Sequence, residues 1–196
     1  MSLTSKAILI ATGLLLLLPV ISMAQSDPFG APDTIYADIA KIDDYHYSIT
    51  ISCFNDERVV GIAVPFKMDA GLNQIVADSA IYTGGRITKA NWAYPGFRPD
   101  TAIQCVTLGM IANLGPTENR LEPGTGRLVT VFVSSLEDKK IENLTIDTTT
   151  TAPSNYLMMI VDRLQGEPPD TTALEFNDRQ IVPVWVVRES EYVEPE

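Results

Sequence analysis

The residues able to do acid–base or metal chemistry are few apart from carboxylates: one histidine, His46, two cysteines, Cys53 and Cys105, and 25 Asp plus Glu. A Ser-His-Asp relay is formally available, since Ser and Asp are plentiful. No Gly-x-Ser-x-Gly elbow presents a nucleophile, however. His46 stands between Tyr45 and Tyr47 on the polar side of an alternating run, so it reads as a surface strand residue. No His-x-x-x-His or Cys-x-x-Cys spacing occurs, which argues against a zinc site. Paired carboxylates hydrolyse glycosides, but among 25 acids chance pairs are expected and none is marked out. Asp43-Asp44 and Glu57 fall in predicted turns, where Asp stabilises the turn itself. Such acidic turns admit a structural calcium, although the Asp-x-Asp-x-Asp-Gly loop of EF-hands is absent. No other cofactor is expected. Gly84-Gly85 lacks the Lys-Ser/Thr of a phosphate loop and reads as a turn with positive φ.

The most suggestive group is Asn91-Trp92-Ala93-Tyr94-Pro95-Gly96-Phe97-Arg98. Rings on a Gly/Pro loop could form a platform for sugar rings, with Asn91 and Arg98 as hydrogen-bonding neighbours. The candidate ligand-binding residues are thus Asn91, Trp92, Tyr94, Phe97 and Arg98. The competing reading folds Trp92 and Phe97 inward to cap the sandwich, because aromatics bring large burial. Trp185 alternates with Val184 and Val186 and reads as core or half-core.

Lys6, the apolar run Ala7 to Ile21 and Ser22-Met23-Ala24 predict a signal peptide cut between Ala24 and Gln25. The apolar run is short for a membrane span, and Pro19 interrupts it. No later stretch could cross a bilayer, so no stable membrane insertion is expected after cleavage. The expected location is outside the cytoplasm: extracellular, at the cell surface or periplasmic. The leader carries one lysine and no acid, so its loss moves the net charge from −11 to −12. Such acidity argues against nucleic acid and anionic membrane surfaces as partners. Export permits a Cys53–Cys105 disulfide, which would close a loop of about 50 residues and contribute roughly 4 kcal/mol. Two buried free thiols are the alternative.

These residues must be positioned by strands. Tyr45 to Phe54 alternates, with Tyr47, Ile49, Ile51 and Cys53 on one face. Val60 to Met68 does the same, with Pro65 requiring an edge or a bulge. Further runs at 34–42, 75–82, 102–112, 127–133, 144–147, 156–161 and 181–187 bring the expectation to about nine strands. Pro, Gly, Asn and Asp clusters separate them, and no 3.6-residue period is sustained. Residues 83–100 and 163–180 read as long connections. The expected organisation is a leader at 1–24, a short linker at 25–32, one all-β antiparallel sandwich at 33–188 and an acidic tail at 189–196.

The order of motifs carries a resemblance. Asp33-Thr34-Ile35 opens the domain, and a strand runs into Asn55-Asp56-Glu57. Val60 to Asp69 and Asp78 to Arg86 follow, and Glu122-Pro123-Gly124-Thr125-Gly126 leads into Leu128 to Val133. The pattern resembles cohesin-like domains of secreted bacterial proteins across roughly Asp33 to Val187. The resemblance implies a nine-stranded jelly roll, related in architecture to carbohydrate-binding modules. It also implies a non-catalytic module whose partner is a protein such as a dockerin, or a polysaccharide. The chain is not itself a dockerin, because it lacks the calcium loop. A surface-layer or filament subunit and a secreted hydrolase are the alternatives, the hydrolase being the least supported.

Overall fold

The computed structural model describes residues 27–112, 119–149, 156–162, 164–165, 172–173 and 179–195. The expected leader at 1–24 and much of the connection at 163–180 lie outside them. Within them run β1 (Thr34–Lys41), β2 (His46–Asn55), β3 (Val59–Asp69), β4 (Ile75–Ile81), α1 (Arg86–Lys89), β5 (Tyr94–Asp100), β6 (Cys105–Ile111) and β7 (Gly124–Ser135). Then come β8 (Thr145–Thr148), β9 (Met158–Val161), β10 (Leu164–Gln165), β11 (Thr172–Ala173), β12 (Gln180–Ile181) and β13 (Val184–Ser190). One sheet has the order β13-β1-β2-β7-β4. The other has the order β12-β9-β3-β6-β5, with β8 also on β3, while β10 and β11 form a separate pair. All pairings are antiparallel except β1 with β13. Among the described residues, no helix is long and apolar enough to cross a membrane.

The expected all-β sandwich is present. Ile35, Ile49, Ile51 and Val131 of one sheet pack in a single core with Val64, Phe66, Leu108 and Met159 of the other. Alternation decides this, because a strand with one apolar row can only satisfy it against a second sheet. A bulge between Val59 and Gly61 shifts the start of β3, so Val59 is buried and Val60 only half-buried. Pro65 sits mid-strand where β9 stops at Ala63 and β8 begins at Phe66, so its missing N–H meets the gap between them.

Some elements depart from expectation. The supposed connection 83–100 holds the one-turn helix α1 and the edge strand β5. Pro95, Gly96 and Pro99 mimic a loop in sequence, but an edge strand tolerates proline on its unpaired side. Gly84 has the expected positive φ of 72°, whereas Gly85 is extended. Gly85 is glycine for space, since a Cβ there would lie 2.6 Å from the Leu128 carbonyl oxygen. The acidic tail is not wholly free of the fold: Glu189 and Ser190 pair with Ile39 and Ala40.

The cysteines are both free and both buried. Cys53 lies in β2 facing the core, while Cys105 lies in β6 of the other sheet, in the row of Thr107 rather than the core row of Val106 and Leu108. A Cys53–Cys105 disulfide is therefore not formed, because the second thiol turns away from the interior. Burial pushes Cys53 up to about 11 although Arg86 pulls the other way, and burial also raises Cys105. Both stay as unreactive thiols. Iodoacetamide should label neither cysteine in the folded protein and both after denaturation, as read by intact mass without reductant. A mass showing loss of hydrogen from each sulfur would contradict the fold.

Candidate functional site

Among the described side chains of the aromatic segment, the two rings turn toward the core. Trp92 is 7% exposed and belongs to the core, so its ring offers no face to a ligand. Asn91 adopts φ 55°, which asparagine tolerates better than most residues, and turns the chain out of α1. Trp92 N–H then donates to the Ile87 carbonyl at 3.0 Å. Phe97 is half-buried against the core, while Arg98 is exposed on the opposite side of β5. The backbone of Tyr94 pairs with Ile111, and its side chain lies outside the described part. Trp185 is half-buried against the core, as read from its strand.

His46 is an exposed residue at the start of β2, its Nδ1 2.8 Å from both carboxylate oxygens of Asp43. Ser134 lies opposite it in register, but among the described residues no serine hydroxyl hydrogen-bonds its ring. Asp43 also accepts the Tyr45 and His46 backbone N–H groups and holds the turn. Asp44 pairs with Lys41 and Lys140, whose ammonium groups hold its carboxyl down at about 2. Neither acid of that turn is available for an ion.

Glu57 has a different setting. It joins Asp27, Asp33 and Asp56 at one end of the sandwich, with one carboxylate oxygen from each within 4.8 Å of the others. Asp33, at the mouth of β1, is 1% exposed. Burial pushes its carboxyl up to about 7, against the pull of the Asp56 backbone N–H, and Asp27 and Asp56 add repulsion. Burial and then the adjoining Asp56 carboxyl push Glu57 up to about 8. Residues 27–32 of the expected linker are thereby part of the fold: the Ala31 N–H donates to Asp56 Oδ2 at 2.7 Å and the Phe29 N–H to Asp27 Oδ1 at 2.8 Å.

Beside this cluster lies a polar node around Arg86. Its guanidinium donates to Asn55 Oδ1 at 2.7 Å, the Glu122 carbonyl at 2.7 Å, the Gly124 carbonyl at 3.0 Å and Cys53 Sγ at 2.9 Å. Fully buried Asn55 passes its own N–H bonds to the Glu57 and Glu122 carbonyls. Gly124 and Gly126, at φ 149° and 145°, leave room for the Arg86 stem, which a Cβ on Gly126 would meet at 3.2 Å.

A stripe of small residues runs across the outer face of the β9-β3-β6-β5 sheet, where Ala63 and Gly109 are half-buried and Gly96 is exposed. Register lines up Met158, Ala63, Gly109 and Gly96 in one row, and Pro65, Thr107 and Arg98 in the next. Small residues leave this stripe flat, and a Cβ on Gly109 would meet nothing within 4 Å. Ile111 is half exposed at one margin, while Lys67, Asp147 and Asp100 form a charged row at the other. The outer face of the other sheet is tied up in its own pairs. Arg188 grips Asp38 at 2.6 and 2.8 Å and covers the Tyr36 ring at 4.4 Å, and Thr50 meets Thr130 at 3.2 Å.

Comparison with family models finds no match, and neither does comparison with curated proteins. Solved structures do match. A chain of the Coh-OlpA–Doc918 complex, a type I cohesin–dockerin complex from Clostridium thermocellum, superposes with a TM-score of 0.52 at 11% identity, over 80% of this chain and 99% of that one. The sixth cohesin of Acetivibrio cellulolyticus scaffoldin B, solved with a Cel5 dockerin variant, gives 0.51 at 7% identity, over 80% and 99%. The chain has a cohesin-like fold. At these identities the likeness speaks for the fold alone.

In this cohesin-like sandwich two groupings escaped sequence reading. The flat stripe needs the register of four strands before Ala63, Gly96 and Gly109 become neighbours. The acid cluster needs the linker folded back on the β2–β3 turn. The faint signal for the second was Asp27 and Asp33 flanking a Pro- and Gly-containing segment, with Asp56-Glu57 closing the strand that pairs with β1.

Proposed function

We propose that the protein is a non-catalytic binding module that captures a dockerin-like protein on the outer face of the β9-β3-β6-β5 sheet. The observation that carries this is the flat Ala63–Gly109–Gly96 stripe with half-exposed Ile111 at its margin. A flat, partly apolar centre with a charged rim is how protein interfaces are built. The two cohesins cited above were solved with dockerins, which supports a protein partner. The leader-like N-terminus supports action outside the cytoplasm. A polysaccharide partner has less support, because Trp92 is buried and Phe97 packs against the core.

The test is binding to a panel of purified dockerin modules, with insoluble glycans in parallel. The expected result is saturable retention of a dockerin and none of glycan. Gly109→Arg, placed where a side chain has open space, should weaken capture at least tenfold, about 1.4 kcal/mol, with unchanged Tm. Glycan retention without a protein partner, or capture indifferent to Gly109→Arg, would sink the reading. Elution of the protein alone as a large assembly would instead favour a filament or surface-layer subunit.

A further inference from the structure

Four carboxylates converge at the end of the sandwich, and among the described residues no ion pair reaches any of them. The Arg86 side-chain N–H groups beside them donate to Cys53, Asn55, Glu122 and Gly124, not to the acids. The independent observation is Asp33. Its side chain is 1% exposed, Oδ1 accepts the Asp56 N–H, and Oδ2 is buried with no hydrogen-bond partner. Asp56 Oδ1 and Glu57 Oε2 are likewise buried and unpartnered. A buried carboxylate oxygen without a donor is costly, and three such oxygens on clustered acids call for a counter-charge.

The donor set is all oxygen, which selects a hard cation. An all-carboxylate protein cage favours calcium over magnesium, because magnesium dehydrates reluctantly and usually keeps several of its waters. The four oxygens fall within 4.8 Å of one another. We propose that Asp27, Asp33, Asp56 and Glu57 hold a calcium ion that pins the segment before β1 onto the β2–β3 turn. Of the two acidic turns, the one at Asp43-Asp44 is already occupied, Asp44 by Lys41 and Lys140 and Asp43 by His46.

The test uses the purified protein stripped with EDTA and titrated with CaCl2 or MgCl2, followed by calorimetry and thermal melting. One calcium should bind per chain and raise Tm, and magnesium at equal concentration should shift Tm less. Asp33→Asn should lower calcium affinity at least tenfold. Its metal-free Tm should equal or exceed that of the wild type, because a like charge leaves the cluster. Should Asp33→Asn fail to fold, Glu57→Gln, nearer the surface, reads the same loss. No calcium response in the wild type, equal response to magnesium, or an undiminished calcium response in the foldable variant would overturn the assignment. None of these readouts involves the partner-binding face.

Discussion

Replacing Trp92 by alanine should destabilise the protein by about 3–5 kcal/mol, the range for deleting a buried aromatic side chain. For a chain of this size that is a fall in Tm of roughly 10 °C. Trp92 follows the positive-φ turn at Asn91 and sits in the core with Ile87 and Leu121. The contrast is Trp92→Phe. The indole N–H is buried without an acceptor, so a phenyl ring loses some packing but also removes an unpaired donor, and the cost should fall to about 1–2 kcal/mol. Thermal melts and urea titrations of both variants decide the matter. A ligand platform would behave oppositely, with Trp92→Ala losing binding while Tm stays put.

The second large effect is expected at Arg86. Arg86→Met keeps the stem that lies along Gly124 and Gly126 but removes every guanidinium bond. It leaves fully buried Asn55 Oδ1 and the part-buried Gly124 carbonyl without their charged donor, while the Glu122 carbonyl keeps only the Asn55 N–H, and an unpaired buried group is costly. The expected loss is about 2–4 kcal/mol in urea denaturation. Arg86→Lys should recover only part of it. An ammonium is a point donor, and it cannot serve two carbonyls and an amide with the spread of a planar fork. A variant as stable as the wild type would show that the node contributes nothing to the fold.

These two residues show how far the sequence could be read. Tyr47, Ile49, Ile51 and Cys53 were recognisable as a core row from alternation alone, and they are buried. The turn Glu122 to Gly126 was recognisable as the entry to a strand, and β7 begins inside it. The strand β5 was not recognisable, because its prolines and glycine are those of a loop, and only pairing with β6 makes it a strand. Trp92 lay in an ambiguous segment whose ring could face either way. Its side was decided by α1, a single turn too short to leave a helical period.

The sequence by itself determined the period-two rows, the turns between them and hence a two-layer all-β fold, because a half-apolar strand has only one economical way to hide its apolar row. Tertiary structure decided everything that depends on which strands are neighbours. It put Cys53 and Cys105 in different sheets, one facing inward and one outward. It aligned Ala63, Gly109 and Gly96 into a flat stripe, and it brought Asp27, Asp33, Asp56 and Glu57 within reach of one ion. Local periodicity carries no information on long-range pairing. The sites of this protein are built from that pairing, between segments that share no local pattern.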